Sequence, residues 1–184
     1  MSGIIILVVI LVLVIMVVGL YNKLVRLRQS VREAWSAIDT ELRRRYDLIP
    51  NLVETVKGYA THEKSTLEAV IAARNAAASN HGTPAEQAVT ENQLSGALRQ
   101  LFALSESYPD LKANQNFNHL QAQLEETENR LSQSRRSYNA NVRDLNTATE
   151  TFPSVIVANM FGFKAEPYFE VEEAAARAPV AVKF

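Results

Sequence analysis

The chain has 184 residues, a formal net charge of −1 and a sequence pI near 6.3. This balance provides no basic field of the kind that nucleic-acid-binding domains use, so we predict no nucleic-acid partner. The lack of cysteine excludes disulfides, thiolate metal sites, a cysteine nucleophile and cysteine lipidation. Glycine and proline occur only six times each, which is typical of a helical chain with few turns.

The N-terminal segment is a long apolar run. Every residue from Ile4 to Leu20 is apolar if Gly19 is included, and no charged side chain precedes Lys23. About 20 such residues cross a bilayer as a helix. A cleaved signal peptide is the alternative, but no Lys or Arg precedes the run and no small-residue cleavage site follows it. We therefore predict an uncleaved transmembrane anchor over residues 1–22 that contacts the lipid bilayer through Ile4–Leu20.

The residues after the anchor predict its orientation. Four basic side chains precede the first acid at Glu33, namely Lys23, Arg26, Arg28 and Arg32. Positively charged flanks stay in the cytoplasm. We expect a single-pass protein with its N-terminus outside and its helical domain in the cytoplasm.

Residues 23–163 carry helical periodicity and are predicted to form one domain. Two successive apolar faces have three- and four-residue spacings. The first consists of Leu24, Leu27, Val31, Trp35, Ile38 and Leu42, and the second of Val53, Val56, Ala60, Leu67, Val70 and Ile71. The second pattern fades towards Gly82, a C-terminal stop that is available for a left-handed conformation.

Pro50 lies between these two faces and allows two interpretations. One long helix kinks there, or two helices turn there with Asp47 as N-cap and Pro50 in the first turn. The turn is favoured, because it divides the domain into four helices that can lie side by side. The predicted fold is therefore all-α, an N-terminal transmembrane helix followed by an antiparallel up-down four-helix bundle.

The third and fourth helices have clear boundaries. Thr83, Pro84 and Glu86 form a capping-box start, and the third helix ends before Pro109. The fourth runs from about Asn114 to Phe152. Its seven-residue repeat consists of Phe117, Leu124, Leu131, Tyr138, Leu145 and Phe152. Such a repeat is typical of a bundle core, and an intermolecular coiled coil is the alternative.

The C-terminal part begins with a short apolar segment from Ser154 to Phe163, which Gly162 is expected to stop. This segment either covers the open end of the bundle or contacts lipid head groups. Residues 164–184 are predicted to be an extended tail.

The sequence contains few motifs that would indicate a catalytic or metal site. The histidines, His62, His81 and His119, fit neither a zinc-protease helix nor a di-iron bundle motif. No phosphate loop, nucleophile elbow or kinase motif is present. We predict no catalytic, cofactor-binding or metal-ligating residue and no enzymatic activity.

Charged clusters are the remaining candidates for binding. Arg43–Arg45 either binds a phosphate-bearing or acidic partner or complements the dipole at a helix C-terminus. Tyr108–Leu111 is either a docking peptide or a helix stop. The acidic run of Glu125, Glu126 and Glu128, with Arg130 nearby, is expected to form a solvated face with intrahelical pairs.

Several strings along the chain together resemble the LemA family. The strings are Ala34–Asp39, Arg44–Val53, Tyr59–Glu63, Ala73–Asn75, Tyr108–Asn114, Arg135–Asn139, Phe152–Pro153 and Phe161–Phe163. Many relatives carry a lipidated cysteine where this chain has Gly19–Tyr21, so the spanning helix is the anchoring mode left. The resemblance implies a protein of the bacterial inner membrane without established enzymatic activity. It also implies links to membrane protein quality control or to membrane remodelling.

We therefore expect a membrane-anchored scaffold or adaptor that binds protein partners, with self-assembly into a homo-oligomer as a further expectation. A membrane-shaping protein is the alternative. A cofactor-binding sensor or enzyme, with a site between helices, is a third possibility.

Overall fold

The computed structural model describes residues 1–170, and all regular structure in that range is helical. The helices are α1 (Ser2–Lys57), α2 (Lys64–Ser79), α3 (Pro84–Ser105), α4 (Pro109–Lys112), α5 (Gln115–Glu150) and α6 (Ser154–Phe161). The all-α class with a long apolar N-terminal helix is thereby confirmed. The part of the predicted tail from 171 to 184 lies outside the described residues.

The helix α1 continues through Pro50, so the predicted turn there is wrong. Asp47 consequently lies inside a helix and is not an N-cap. Pro50 has no N–H to donate to the carbonyl of Tyr46, four residues earlier. The Nε of Arg74 in α2 donates to that carbonyl oxygen instead, at 3.1 Å. The helix continues because a neighbouring side chain satisfies the carbonyl that proline leaves free.

This arrangement makes a double-mutant cycle informative. Arg74→Met is expected to lower the free energy of unfolding by about 1–2 kcal/mol, because the Tyr46 carbonyl loses its donor. In a Pro50→Ala background the alanine N–H can donate to that carbonyl, so the same replacement costs less. Urea unfolding of the four full-length chains in detergent measures the difference. An equal cost in both backgrounds would show that Arg74 does not act through the carbonyl.

The chain turns between Gly58 and Glu63. The N–H groups of Tyr59 and Ala60 both donate to the carbonyl of Val56, at 3.0 and 2.9 Å. Further on, α2 ends at Ser79 and is followed by Asn80 in an extended conformation. Gly82 does not adopt the left-handed conformation for which it was available. Within residues 1–170 the glycine with positive φ is Gly162, at 72°, which ends α6 as predicted.

The predicted capping box at the start of α3 is confirmed. The Thr83 N–H donates to Glu86 Oε2 at 2.6 Å, and the Glu86 N–H donates to Thr83 Oγ1 at 3.3 Å. The hydrogen bond from the Thr83 backbone, together with that from its side chain, holds the pKa of Glu86 below its ordinary value. The bounds of α5 lie within two residues of those predicted at each end.

Two compact units make up the described chain, and α1 and α5 each contribute to both. The first unit contains residues 1–42 and 129–168. One cluster of its core consists of Leu24, Ala148, Val157, Ala158 and Phe163, against which Val17, Leu20, Val25 and Leu27 pack. The rings of Trp35 and Tyr138 lie 5.4 Å apart.

Residues following α6 lie along α5 in this first unit. The Tyr138 hydroxyl donates to the carbonyl of Pro167 at 2.9 Å. Asn146 and Glu166 exchange two hydrogen bonds, at 2.8 and 3.0 Å. Burial, reinforced by the Glu166 carboxylate, raises the pKa of Tyr138 to about 12. The hydroxyl therefore remains a donor at neutral pH.

The second unit contains residues 43–128 and Phe169 with Glu170. In this unit α1 and α5 run in opposite directions, as contacts at two levels show. Between α1 and α5, Asn116 donates to Thr55 at 3.0 Å and Arg45 pairs with Glu128 at 2.8 Å. Its fully buried side chains include Ile49, Leu52, Leu94, Leu101, Leu111 and Phe117.

Candidate functional site

Arg45 forms the centre of a buried polar network in the second unit. Its side chain is 2% exposed, and that of its partner Glu91 is completely buried. Arg45 Nη1 donates to Glu91 Oε2 at 2.9 Å and Nη2 donates to Ser95 Oγ at 2.8 Å. The Nε atom lies 2.8 Å from Glu128 Oε1, in an ion pair without the alignment of a hydrogen bond. A buried charge of this kind is tolerated because it is paired on several sides.

Tyr46 and Gln87 complete the network around the second oxygen of Glu91. The Tyr46 hydroxyl donates to Glu91 Oε1. Gln87 Nε2 lies 3.0 Å from the Tyr46 hydroxyl and 3.1 Å from the carbonyl of Ala77. Burial and the negative charge of Glu91 raise the pKa of Tyr46 well above its ordinary value. The hydroxyl thus stays a donor to Glu91, and the network links α1 to α3.

The expectation for Arg43–Arg45 as a helix C-terminus is wrong, because these residues lie inside α1. Arg44 lies 4.0 Å from Glu126, and Arg45 pairs with Glu128. These pairs join α1 to α5, a role that the expectation of a solvated face with intrahelical pairs did not include, although Glu126 and Glu128 are about half-exposed as expected. Arg45 is a core residue and is not available to an anionic partner.

Sequence reasoning missed the network although a signal was present. Arg45 stands three residues after Leu42 and four before Ile49, both fully or almost fully buried. Its position is therefore on the apolar face of the helix. In α3, Glu91 stands three residues before the buried Leu94 in the same way. Opposite charges on two apolar faces indicate a buried pair.

A surface groove lies between the end of α1 and α2, and we assign it to binding. Its cavity volume is about 790 Å³. Buried Val53 and Leu67 contribute to its apolar surface. Two ion pairs border it, Lys57 with Glu54 at 3.5 Å and Lys64 with Glu68 at 3.6 Å. An apolar floor with a charged rim is the geometry that accepts an amphipathic helix.

The other predicted candidates lie apart from this groove. Tyr108–Leu111 leads into the short helix α4, in which Leu111 is completely buried. The Tyr108 hydroxyl donates to Glu63 at 3.2 Å, and burial together with this carboxylate raises its pKa. All three histidines are exposed. Within residues 1–170, no group of three or more His, Asp or Glu side chains is placed to hold a metal ion.

The segment predicted to contact lipid is exposed along its length. The large apolar side chains from Ile4 to Ile15 are 49–71% exposed. This part of α1 is long and apolar enough to cross a membrane. It packs against the rest of the first unit only at its end, through Val17 and Leu20.

Comparison with known proteins gives a consistent result. A model of the LemA family matches residues 34–184. The magnetosome protein MamQ of Magnetospirillum gryphiswaldense is 24% identical, over 84% of this chain and 66% of its own length. Protein LemA of Metamycoplasma hominis is 25% identical, over 85% of this chain and 71% of its own length. The chain thus spans about two thirds of the length of these relatives.

Proposed function

The chain belongs to the LemA family, and we propose that it is a membrane-anchored helical scaffold or adaptor with no catalytic activity of its own. The observation that carries the proposal is the continuity of α1 from Ser2 to Lys57. One unbroken helix provides the exposed apolar segment and, through Pro50, Val53, Glu54 and Lys57, one wall of the groove. A scaffold requires such a link between its anchor and its binding surface.

The anchor is proposed to cross the bacterial inner membrane through Ile4–Leu20. Exposing so many large apolar side chains to water is unfavourable by about 25 cal/mol per Å² of apolar surface, and a bilayer removes this cost. The basic residues that follow favour an outside N-terminus and a cytoplasmic helical domain. The antiparallel course of α1 and α5, with the short connections from α1 to α2 and from α2 to α3, supports an up-down four-helix bundle as its architecture.

The proposed ligand of the groove is an apolar helix face of a protein partner. The buried polar network provides fixed helix positions and no reactive group, which favours binding over catalysis. We propose a role in membrane protein quality control or membrane organisation, and the family resemblance supports it. Self-assembly remains part of the proposal, since a second copy of the chain is also a protein partner.

Site-specific photo-crosslinking in native membranes tests this role. A photoreactive residue at Glu68, on the groove rim, is expected to form discrete protein adducts, and one at the exposed Arg99 of α3 is not. Ala72→Arg places a long charged side chain in the groove and should abolish the adducts. Ala69→Arg, on the same helix but outside the groove lining, should leave them unchanged. Adducts that are absent, or that respond equally to both arginines, would contradict the proposal.

A membrane-organising role is the second candidate. It is favoured by the similarity to a relative that is named as a magnetosome protein. In that case the partners captured from the groove would be further copies of the same chain. Mass spectrometry of the adducts distinguishes a second copy from a different protein.

A further inference from the structure

The short helix α6 is apolar on all sides. Only Ser154 and Asn159 among its residues carry polar side chains. One face is in the core of the first unit, where Val157 and Ala158 are at most 2% exposed. A helix that is apolar all round normally has apolar surroundings all round. The core provides these on one side only.

Several large apolar side chains of α6 and the residue before its N-cap are exposed, and we call them the α6 patch. Its members are Phe152 at 81% exposed, Ile156 at 54%, Met160 at 66% and Phe161 at 51%. Within α6, Ile156 and Met160 are spaced by four residues and so lie in one row, and Phe152 precedes the helix. Phe152 was predicted as a core position of the seven-residue repeat, and its exposure contradicts that prediction. Exposed apolar patches of this kind mark contact surfaces.

The helix α6 packs where the apolar segment of α1 ends. The core cluster to which α6 contributes packs against Val17 and Leu20, the last part of the apolar segment. The ring of Phe161 contacts that of Tyr21 edge to face, with centroids 4.8 Å apart. The patch is therefore continuous with the side chains that α1 presents to lipid.

The length of the apolar segment places this level at the membrane boundary. About 17 residues from Ile4 to Leu20 rise about 25 Å as a helix. The hydrocarbon core of a bilayer is about 30 Å thick. The boundary between the hydrocarbon core and the head groups therefore lies close to Tyr21, whose ring contacts Phe161 of α6.

The basic residues near the α6 patch also favour a position at the lipid head groups. Lys23 and Arg26 are exposed directly after the apolar segment, and Lys164 is exposed directly after α6. No acidic residue occurs before Glu33. Cationic side chains at this depth face the phosphate groups of lipids, and they are attracted most strongly to anionic ones.

We propose that the α6 patch inserts into the boundary between lipid head groups and acyl chains and forms a second membrane contact beside α1. The proposal rests on the transmembrane role proposed for α1. Aromatic and long apolar side chains on a short helix are suited to this depth. Together, α1 and α6 restrict the rotation and tilt of the first unit at the membrane surface.

Depth-dependent tryptophan quenching tests the proposal with the full-length chain. Trp35→Phe removes the single native tryptophan, and Met160→Trp places a reporter in the patch. The protein is reconstituted in vesicles of phosphatidylcholine and phosphatidylglycerol that contain brominated phosphatidylcholine. The matched control is Val89→Trp on α3, which replaces an apolar residue that is 57% exposed. A Leu11→Trp chain reports insertion of α1 separately.

We expect the emission of the Met160→Trp chain to be blue-shifted and quenched several-fold more than that of the Val89→Trp chain, most strongly by bromine near the head group. The Leu11→Trp chain should be quenched most by bromine near the acyl terminus. If this anchor reporter is quenched while the patch reporter shows water-like emission, the α6 contact is overturned and the anchor is retained. Blue-shifted but unquenched emission from the patch reporter would indicate a protein cover and also overturn the contact. An unquenched anchor reporter would overturn the anchor and the α6 contact together.

Discussion

Replacement of Glu91 by leucine is expected to lower the free energy of unfolding by about 3–5 kcal/mol, among the largest effects available to a single substitution. The reason is the environment of Arg45, which is 2% exposed and loses the carboxylate that its Nη1 contacts at 2.9 Å. Glu128 is half-exposed and compensates the guanidinium from one side only. Urea unfolding of the full-length chain in detergent, followed by circular dichroism, gives the change.

Two companion chains make this measurement specific. Arg45→Leu combined with Glu91→Leu removes both charges and should recover much of the loss, since a buried pair is often replaceable by apolar residues. Glu106→Leu breaks the ion pair with Lys112 on the surface and should change stability little. If Glu91→Leu costs no more than Glu106→Leu, or if the double replacement is worse than Glu91→Leu alone, the electrostatic explanation fails.

The helices of this chain were predictable because their apolar spacing is local. The face from Leu24 to Leu42 and the positions from Phe117 to Leu145 are buried or largely buried in the structure, and the Thr83 capping box forms as expected. The boundary at Pro50 was not predictable in the same way. Proline removes a local hydrogen bond, and the donor that replaces it, Arg74, is 28 residues from the carbonyl that it satisfies.

The same reasoning applies to the candidate site. Arg43–Arg45 looked like a binding cluster because adjacent arginines are normally exposed. Burial of Arg45 depends on Glu91 and Glu128, which come from two other helices. The groove is likewise formed where α1 and α2 meet, and its existence depends on the true position of the turn at Gly58–Glu63. Each segment alone shows only a charge on an apolar face, and the partner that makes its burial possible lies in another helix.

Two lysines in the middle of the apolar segment are expected to release the protein from the membrane. On the scale of helix insertion, a lysine at the bilayer centre costs about 2.5–3.5 kcal/mol, whereas leucine and valine are favourable by about 0.3–0.6 kcal/mol. Leu11→Lys with Val12→Lys therefore disfavours insertion by about 6–8 kcal/mol in total. Extraction of membranes with alkaline carbonate, followed by immunoblotting of pellet and supernatant, should find the variant in the supernatant.

This result would show loss of membrane insertion and not unfolding, because Leu11 and Val12 are 54% and 59% exposed. They also lie outside the core cluster of the first unit. Helical content in detergent should be unchanged. The matched control places lysines at two exposed apolar positions of the second unit, Val89 and Tyr59. Those side chains have similar exposure, so a lysine there should leave the protein in the pellet. If the variant with lysines at 11 and 12 also stays in the pellet, Ile4–Leu20 is not what holds the protein in the membrane. The next test would be whether a membrane protein bound in the groove retains the chain in the pellet.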